Sequence, residues 1–531
     1  MSDMTVVSPD DTQAVWLNGN HVPSVEADST PPTDLLESTA EPILSLILQL
    51  CAALRRTPIR WCHWKSNAAI DRSATGENDL DLLVHRGDLA PFTALITGLG
   101  FKEAIAQPDK QLPGVLDYYG YDAPSDTVIH LHVHYQLILG HDAAKNYRLP
   151  IEEAYLASAQ PDRYFLVPAP EFEFVVFVVR MILKHGTWDA MLGLEGRFAK
   201  TERLEFDDLL AQIDETRVHA ILREHLPFLS VALFTACVDA LHGRGSLWRR
   251  ARIGYALQTQ LTAHTRRPAA AALFLRFWRR GMWGIRKYVL RQPARKRFAG
   301  GGALIAIIGG DGAGKSSAIK GTTAWLGKTF RLQRMHMGKP RMSLLSFGIK
   351  VVLKIGRKLG VWSTRYDAQE IVARGEALRF PGYPWLLWHV VTAHDRYRAY
   401  IRARRLSTNG TVVICDRFPL PEVTLMDGAR TGWLLAREDI SPLVRRLVEM
   451  EQAYYRQILP PDLLIVLRVD PQVAQARRTD EEGEWVMARC QEIWDLDWDV
   501  EHYGTRLQIV DAGQPQAAVL AQVKAEIWSR L

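Results

Sequence analysis

The chain has 531 residues, of which 47% are apolar and 23% are charged, and its formal net charge is +6. This length exceeds what one hydrophobic core serves, so we expect two or three domains of ordinary globular composition. The sequence has no run of about 20 apolar residues and no secretory signal, which predicts a cytoplasmic protein without a membrane span. The five cysteines are scattered without a C-x-x-C pair, which argues against a disulfide framework and a zinc knuckle.

Composition shifts along the chain predict four segments. Residues 1–40 are rich in Ser, Thr, Asp and Pro, which is typical of a disordered tail. We expect an α+β domain over 41–240, a basic helical connector over 241–300 and an α/β domain over 301–531.

The first candidate site lies in the α+β domain. Trp61–Asn67 reads W-C-H-W-K-S-N, and Gly76–Val84 reads G-E-N-D-L-D-L-L-V. In an alternating strand, Asp79 and Asp81 point to the same face, about 7 Å apart. Two carboxylates so placed can share a divalent metal with a triphosphate. We therefore predict that Asp79 and Asp81 are metal ligands.

A later strand carries histidines at alternate positions. Val128–Tyr135 reads V-I-H-L-H-V-H-Y, so His130, His132 and His134 share one face. Two interpretations stay open. The histidines either form the polar face of a half-buried strand or bind a metal, because imidazole suits Zn²⁺, Mn²⁺ or Fe²⁺.

These motifs, with a helix predicted from Phe174 to His185, resemble a little-characterised nucleotidyltransferase-like family found in bacterial polysaccharide gene contexts. The resemblance covers 41–185 and implies a metal-dependent nucleotide site. The nucleotidyltransferase pattern has a third acid on a later strand, where this chain has histidine. The domain is therefore expected either to transfer a nucleotide or to bind a nucleotide or sugar without transferring it.

A basic segment follows. Fifteen Lys or Arg and no Asp or Glu lie between residues 241 and 310, with Trp248, Trp278 and Trp283 among them. Residues 272–280 read as a basic amphipathic helix. The segment is either a solvated connector or a peripheral contact with an anionic membrane, and nucleic acid is the least favoured partner.

The most specific motif is G-G-D-G-A-G-K-S at Gly309–Ser316, directly after the apolar run 303–308. This spacing between a strand and a helix indicates a phosphate-binding loop. Glycines let backbone N–H groups surround an anion, and the helix N-terminus adds partial positive charge. Lys315 would reach the terminal phosphates, and the Ser316 hydroxyl would hold Mg²⁺. The predicted nucleotide-binding residues are Gly309, Gly310, Asp311, Gly312, Ala313, Gly314, Lys315, Ser316 and Ser317.

Three further strands, Thr411–Cys415, Leu463–Leu467 and Leu507–Val510, alternate with helical stretches. This alternation predicts a parallel sheet with ligands at the carboxyl ends of its strands. Asp416 and Arg417 follow the first of these strands directly.

Residues 301–531 resemble the thymidylate kinases. The motifs are the loop, T-A-H-D-R at 392–396, C-D-R-F at 415–418, P-D-L-L-I-V-L-R-V-D-P-Q-V-A-Q-A-R-R at 461–478 and I-V-D-A-G-Q at 509–514. The resemblance implies a three-layer P-loop NTPase fold, ATP and Mg²⁺ as cofactors, and a homodimer.

The resemblance also implies residue roles. Lys315 would hold the donor phosphates, and Asp416 would hold the metal through water. Arg417 would clamp the acceptor phosphate and the transferred group, because phosphoryl transfer is catalysed by positioning and positive charge. Arg477 and Arg478 would close as a lid. Asp311, Asp395 and Arg396 would bind the acceptor.

The sequence also departs from the thymidylate kinases. Their Arg-Glu-Pro motif is missing from Leu332–Pro340, a basic stretch follows at Ile349–Lys358, and Asp480–Glu482 is acidic. The expected function is therefore transfer of the γ-phosphate of ATP to a small acceptor whose identity stays open. Two alternatives remain: a bifunctional nucleotidyltransferase and kinase, and an ATP-binding regulatory protein at the membrane surface.

Overall fold

The computed structural model describes residues 43–141, 144–186, 199–242, 247–291, 294–359, 380–421, 423, 428–477, 483–498 and 506–531. The predicted tail over 1–40, the lid residue Arg478 and the acidic run Asp480–Glu482 lie outside the described residues. Among the described helices, none is both long and apolar enough to cross a bilayer.

The first part of the chain forms a six-stranded mixed sheet in the order β1-β2-β5-β4-β3-β10. Strands β2 and β5 run parallel, and the other neighbours run antiparallel. The strands are β1 Trp61–His63, β2 Leu80–Val84, β3 Lys102–Ile105, β4 Val115–Asp122, β5 Thr127–His134 and β10 Arg297–Phe298. Two small hairpins follow β5, formed by β6 Ile138–Leu139 with β7 Tyr147–Arg148 and by β8 Gln160–Asp162 with β9 Phe165–Val167.

Helices cover this sheet and form a second core beside it. Helix α5 begins at Pro170, which suits the first helical position because proline lacks the N–H that would stay unpaired there. Its apolar residues are buried against the helices that follow it. The helices of this part are α1 Ser45–Arg55, α2 Ile70–Ala74, α3 Leu89–Gly98, α4 Glu152–Ala157, α5 Pro170–His185, α6 Lys200–Gln212, α7 Glu215–His225, α8 Val231–Leu241 and α9 Leu247–Gln260.

The basic segment continues as helix α10, Ala269–Gly284, and a π-helical turn, Ile285–Val289. None of the residues of α10 is buried. The segment then enters β10, so the predicted connector contains a strand of the first sheet. The division of the chain into domains stays a prediction.

The last part of the chain is an α/β fold around a five-stranded sheet in the order β12-β13-β11-β14-β15, and all neighbouring strands run parallel. This confirms the predicted α/β class. The strands are β11 Leu304–Gly309, β12 Leu332–His336, β13 Val412–Asp416, β14 Leu463–Arg468 and β15 Leu507–Asp511. The helices are α11 Lys315–Leu326, α12 Leu344–Lys358, α13 Tyr383–Thr408, α14 Pro442–Arg456, α15 Pro471–Arg477, α16 Gly483–Asp495 and α17 Gln516–Arg530.

The two sheets are joined by an aromatic core. Phe298 of β10 stacks on Phe330 with ring centroids 4.4 Å apart, and Tyr121 of β4 meets Trp325 at 4.8 Å. The Trp528 indole N–H donates to the Gly100 carbonyl at 3.1 Å. Apolar side chains of both sheets are therefore buried together.

Candidate functional site

The glycine loop leads from β11 into α11. Gly312 and Gly314 both have φ of +82°, a left-handed conformation that favours glycine. A Cβ atom on Gly312 would lie 2.8 Å from the Ala474 carbonyl oxygen. Gly314 directly precedes the first residue of the helix. The loop therefore has the backbone that the sequence pattern predicts.

Lys315 is buried at the start of α11. Its ammonium group donates hydrogen bonds to the Gly309 and Gly310 carbonyls at 2.9 and 2.7 Å. Burial lowers the pKa of Lys315 below its ordinary value. Ser316 and Ser317 are exposed in the first turn of the helix. The loop thus combines a helix N-terminus, a cation and two hydroxyl groups.

Asp311 faces three basic side chains. Its carboxylate lies 2.7 Å from Arg489 Nη1, 3.8 Å from Lys315 Nζ and 3.9 Å from Arg417 Nη2. Sequence reasoning missed Arg489, which comes from α16. A lone arginine on a helix surface gives no signal that separates it from a solvated one.

Asp416 and Arg417 lie at the carboxyl end of β13, beside the strand that leads into the loop. Arg334 Nη2 lies 2.6 Å from Asp416 Oδ2. Arg417 has φ of +61°, a left-handed conformation that costs a non-glycine residue about 1–3 kcal/mol and occurs often at functional sites. Arg417 and Lys315 line one small cavity together with Phe418.

Arg477, predicted as a lid residue, is the last residue of α15. Its guanidinium donates to the Ala512 carbonyl at 3.0 Å and to the Gly312 carbonyl at 3.5 Å. Arg477 therefore links the glycine loop to the segment after β15.

The predicted acceptor residues Asp395 and Arg396 are both buried in α13. The Asp395 carboxylate accepts hydrogen bonds from the Ser343 backbone N–H at 3.0 Å and the Ser346 hydroxyl at 2.5 Å, at the start of α12. Arg396 donates to the carbonyls of Met337 and Gly338, at 3.2 and 3.1 Å. Arg396 thus holds the backbone where the Arg-Glu-Pro motif is missing, and Asp395 holds the start of α12.

A second polar cluster lies in the mixed sheet. Asp79 directly precedes β2, and its Oδ1 lies 2.7 Å from His130 Nδ1. Asp81 Oδ1 lies 2.8 Å from Lys65 Nζ, 3.2 Å from His132 Nδ1 and 3.5 Å from His134 Nε2. The structure brings the two predicted acids and the histidine row together.

The histidines differ in their surroundings. Burial lowers the pKa of His134 to about 3, so this imidazole is neutral at physiological pH. Burial acts in the same direction at His130, but hydrogen bonds with Asp117 and Asp79 outweigh it and raise that pKa above its ordinary value.

Asp117 is a carboxylate that sequence reasoning missed. It lies on β4 opposite His132, and its Oδ1 is 2.8 Å from His130 Nε2 and 2.9 Å from Lys296 Nζ. Burial opposes its ionisation, but these two partners hold the pKa of Asp117 at about 2. Only knowledge that β4 pairs with β5 could have identified it.

A cavity of about 830 Å³ opens beside this cluster and is lined by Asp79, Asp81 and His63. His63 is only 1% exposed, and its Nε2 has no hydrogen-bond partner in the described part of the chain. The cavity is large enough for a nucleotide-sized ligand. The basic side chains that line it are Lys65, Arg72, Lys145, Arg180 and Lys184.

Comparison with known proteins finds relatives for part of the chain. Two proteins named "Uncharacterized ATP-binding protein YghR", from Escherichia coli strain K12 and from Escherichia coli O6:H1, are each 28% identical to it over 233 residues. The alignment covers 42% of this chain and 86% of each relative. No family model matches the sequence.

Proposed function

We propose that this chain is an ATP-dependent phosphotransferase of the nucleoside-monophosphate (thymidylate) kinase type. The observation that carries the proposal is the glycine loop with Lys315 inside it and Asp416 and Arg417 at the end of the neighbouring strand. The parallel sheet, with the loop after its central strand, supports a three-layer P-loop NTPase fold. The name of the Escherichia coli relatives supports ATP as the phosphate donor.

Positive charge is concentrated where phosphoryl transfer needs it. The backbone N–H groups of the loop and Lys315 would hold the donor phosphates. Arg417 and Lys315 both face Asp311 of the loop, so Arg417 is suited to the negative charge that spreads over the transferred group. Arg477 contacts the loop at Gly312, from where it would help to exclude water from the donor.

Mg²⁺ fits the oxygen groups at this site. The Ser316 hydroxyl is exposed at the start of α11, and the Asp416 carboxylate ends the adjacent strand. Oxygen ligands of this kind are those that Mg²⁺ prefers, usually with several waters retained. When bound, the ion would neutralise charge on the β- and γ-phosphates.

The acceptor is proposed to be a small anionic molecule. Asp311 is surrounded by Arg417, Arg489 and Lys315, and Arg334 contacts Asp416 nearby. An acceptor phosphate would meet several guanidinium groups, which bind phosphate in a bidentate manner. Asp395 and Arg396 would then position the acceptor side through the backbone that they hold.

The test uses the purified full chain with ATP, Mg²⁺ and a panel of nucleoside monophosphates and phosphorylated sugars. We expect a phosphorylated product from wild type and loss of at least about 100-fold in rate for Lys315→Ala. Lys320→Ala is the matched control, because Lys320 is exposed on the same helix. No product above the Lys315→Ala level with any acceptor would contradict the proposal. The proposed homodimer is checked by sedimentation of the same sample.

A second proposed role is attachment to an anionic membrane surface through α10. Phe274 and Trp278 are 68% and 57% exposed and stack on each other at 6.2 Å. Apolar rings between arginines are typical of helices that lie in the membrane interface. Arg280 of α10 contacts His141, and Arg286 in the turn after the helix pairs with Asp109, so these two cations hold the segment to the part of the chain that contains the mixed sheet.

Flotation with vesicles of phosphatidylserine and phosphatidylcholine tests this role. Wild type is expected to float with anionic vesicles at physiological salt, and Phe274→Glu with Trp278→Glu is expected to stay in the bottom fraction. Equal flotation of both proteins, or none for wild type, would exclude attachment through α10.

A further inference from the structure

The Asp81, His132 and His134 side chains have the spacing of a metal site. One ligand atom from each lies within 4.8 Å of the others. Asp81 Oδ1 is 3.2 Å from His132 Nδ1 and 3.5 Å from His134 Nε2. Ligand atoms held tetrahedrally at about 2.0–2.2 Å from an ion lie roughly 3.3–3.6 Å apart. The two distances from Asp81 to the histidines therefore already fit a shared ion.

An independent observation also points to a ligand at this place. His134 is only 2% exposed, and its Nε2 makes no hydrogen bond with any described residue. Buried polar nitrogens in native proteins are nearly always satisfied, because an unpaired one costs about 1–3 kcal/mol. This nitrogen lies 3.5 Å from the Asp81 carboxylate without forming a hydrogen bond to it, and an ion between the two would satisfy it.

The groups behind these ligands complete the pattern. His132 presents Nδ1 to Asp81, and its other nitrogen, Nε2, lies 3.4 Å from Asp117 Oδ1. A carboxylate behind a metal-binding histidine fixes the ring and its tautomer. Lys296 lies 2.9 Å from the same Asp117 oxygen and holds that carboxylate in place.

From these observations we propose that Asp81, His132 and His134 bind one divalent transition-metal ion beside the 830 Å³ cavity. Two imidazoles and one carboxylate favour Zn²⁺, Mn²⁺ or Fe²⁺ over Mg²⁺, which prefers oxygen ligands. Three protein ligands leave a tetrahedral ion one further position. Asp81 also lines the cavity, so the ligand for that position would come from the cavity.

Lys65 competes with the ion. Its ammonium group lies 2.8 Å from the oxygen of Asp81 that faces both histidines. A metal ion must displace this group or share the carboxylate with it. Removing the lysine charge is therefore expected to tighten metal binding, which a purely structural role of the cluster does not predict.

In the experiment, the metal-free full chain without nucleotide is titrated with Zn²⁺, Mn²⁺ or Mg²⁺, and binding is measured by calorimetry. A separate titration with Co²⁺ is monitored through the visible absorption of the bound ion. We expect one transition-metal ion per chain and much weaker binding of Mg²⁺. Asp81→Asn and His132→Gln are expected to lose at least about 100-fold in affinity. Lys65→Gln is expected to gain affinity.

His130→Gln is the matched control, because His130 lies on the same strand and contacts Asp79 and Asp117 instead of Asp81. It should lose much less affinity than His132→Gln, because His130 touches the proposed ligands only through the Asp117 carboxylate that it shares with His132. The proposal is overturned by absent binding in wild type, by equal losses in His130→Gln and His132→Gln, or by Mg²⁺ binding as tightly as Zn²⁺. If His132→Gln does not fold, the Co²⁺ spectrum of wild type and the Lys65→Gln titration decide. The proposed phosphotransfer at the glycine loop is tested by the separate activity assay, so failure of one proposal does not decide the other.

Discussion

The glycine loop and the acid and histidine cluster collect charged side chains in two different ways. At the loop, the key groups follow β11 and β13, where the carboxyl ends of parallel strands meet. In the mixed sheet, the groups come from within β4 and β5, from β2 and its preceding residue, and from Lys296 far along the chain. The first arrangement can be read from a local motif, whereas the second depends on which strands pair.

The two regions also neutralise carboxylates differently. Asp311 at the loop is surrounded by arginine and lysine. In the mixed sheet, Asp79 and Asp81 face histidines as well as Lys65. A site of the first kind suits highly charged phosphates, and one of the second kind suits a metal ion.

The largest effect on the free energy of unfolding is expected in the aromatic core that joins the two sheets. Phe298→Ala removes a buried ring that stacks on Phe330 at 4.4 Å and should cost about 3–5 kcal/mol of the free energy of unfolding. Denaturant unfolding followed by fluorescence would measure this loss. Phe347→Ala is the control, because Phe347 is exposed. A loss confined to one region would show that the regions are energetically independent.

An intermediate effect is expected from a change confined to the loop. Gly312 has φ of +82°, and Gly312→Ala would place a Cβ atom 2.8 Å from the Ala474 carbonyl oxygen. The strain should lower the free energy of unfolding by about 1–3 kcal/mol. Nucleotide affinity, measured with a fluorescent ATP analogue, should fall with it, while metal binding in the mixed sheet stays unchanged. Gly281→Ala in α10 meets no atom within 4 Å and should leave nucleotide binding intact. Equal affinity of both variants would argue against nucleotide binding at this loop.

The smallest effect is on how stability depends on pH, and it arises in the part of the chain that contains the mixed sheet. Burial, assisted by Glu205, raises the pKa of Glu173 from its ordinary value of 4.5 to about 7. Between these values the unfolded chain loses its proton first. The contribution of the protonated Glu173 to the free energy of unfolding is therefore fully present below pH 4.5 and is lost as the pH rises through 7.

Glu173→Gln removes this dependence. The variant should be more stable than wild type by about 1–2 kcal/mol at pH 8, and the difference should vanish near pH 4.5. Urea unfolding across this range measures it. Glu153→Gln serves as control, because the Glu153 side chain is exposed. A constant difference at every pH would assign the effect to packing.

Sequence reasoning reached different depths in the two regions. It located β11, the loop and the polar strand ends, because a buried parallel strand and a glycine loop are contiguous signals. It put Asp79 and Asp81 on one face of a strand and the three histidines on one face of another, because both strands alternate, but it did not predict that these strands pair. It could not find Asp117, Lys296 or Arg489, because each depends on tertiary pairing that no local pattern encodes.

It also could not foresee how Asp395 and Arg396 are used. Their motif resembles an acceptor-binding helix, but the side chains hold the backbone at Ser343 and Met337. The same residue types serve either purpose, and only the packing of α12 and α13 decides between them.

The short strand Arg297–Phe298 limits how this protein can be divided. It pairs with β3 of the first sheet, while Lys296 exchanges backbone hydrogen bonds with Thr329 and Arg331 of the second region. Cutting the chain at residue 300 would remove this strand from the part that contains the parallel sheet and expose apolar surface around Trp528. Exposed patches of this kind promote aggregation. This segment has hydrogen-bond partners on both sides of any cut, so either half expressed alone would leave part of its bonding unsatisfied.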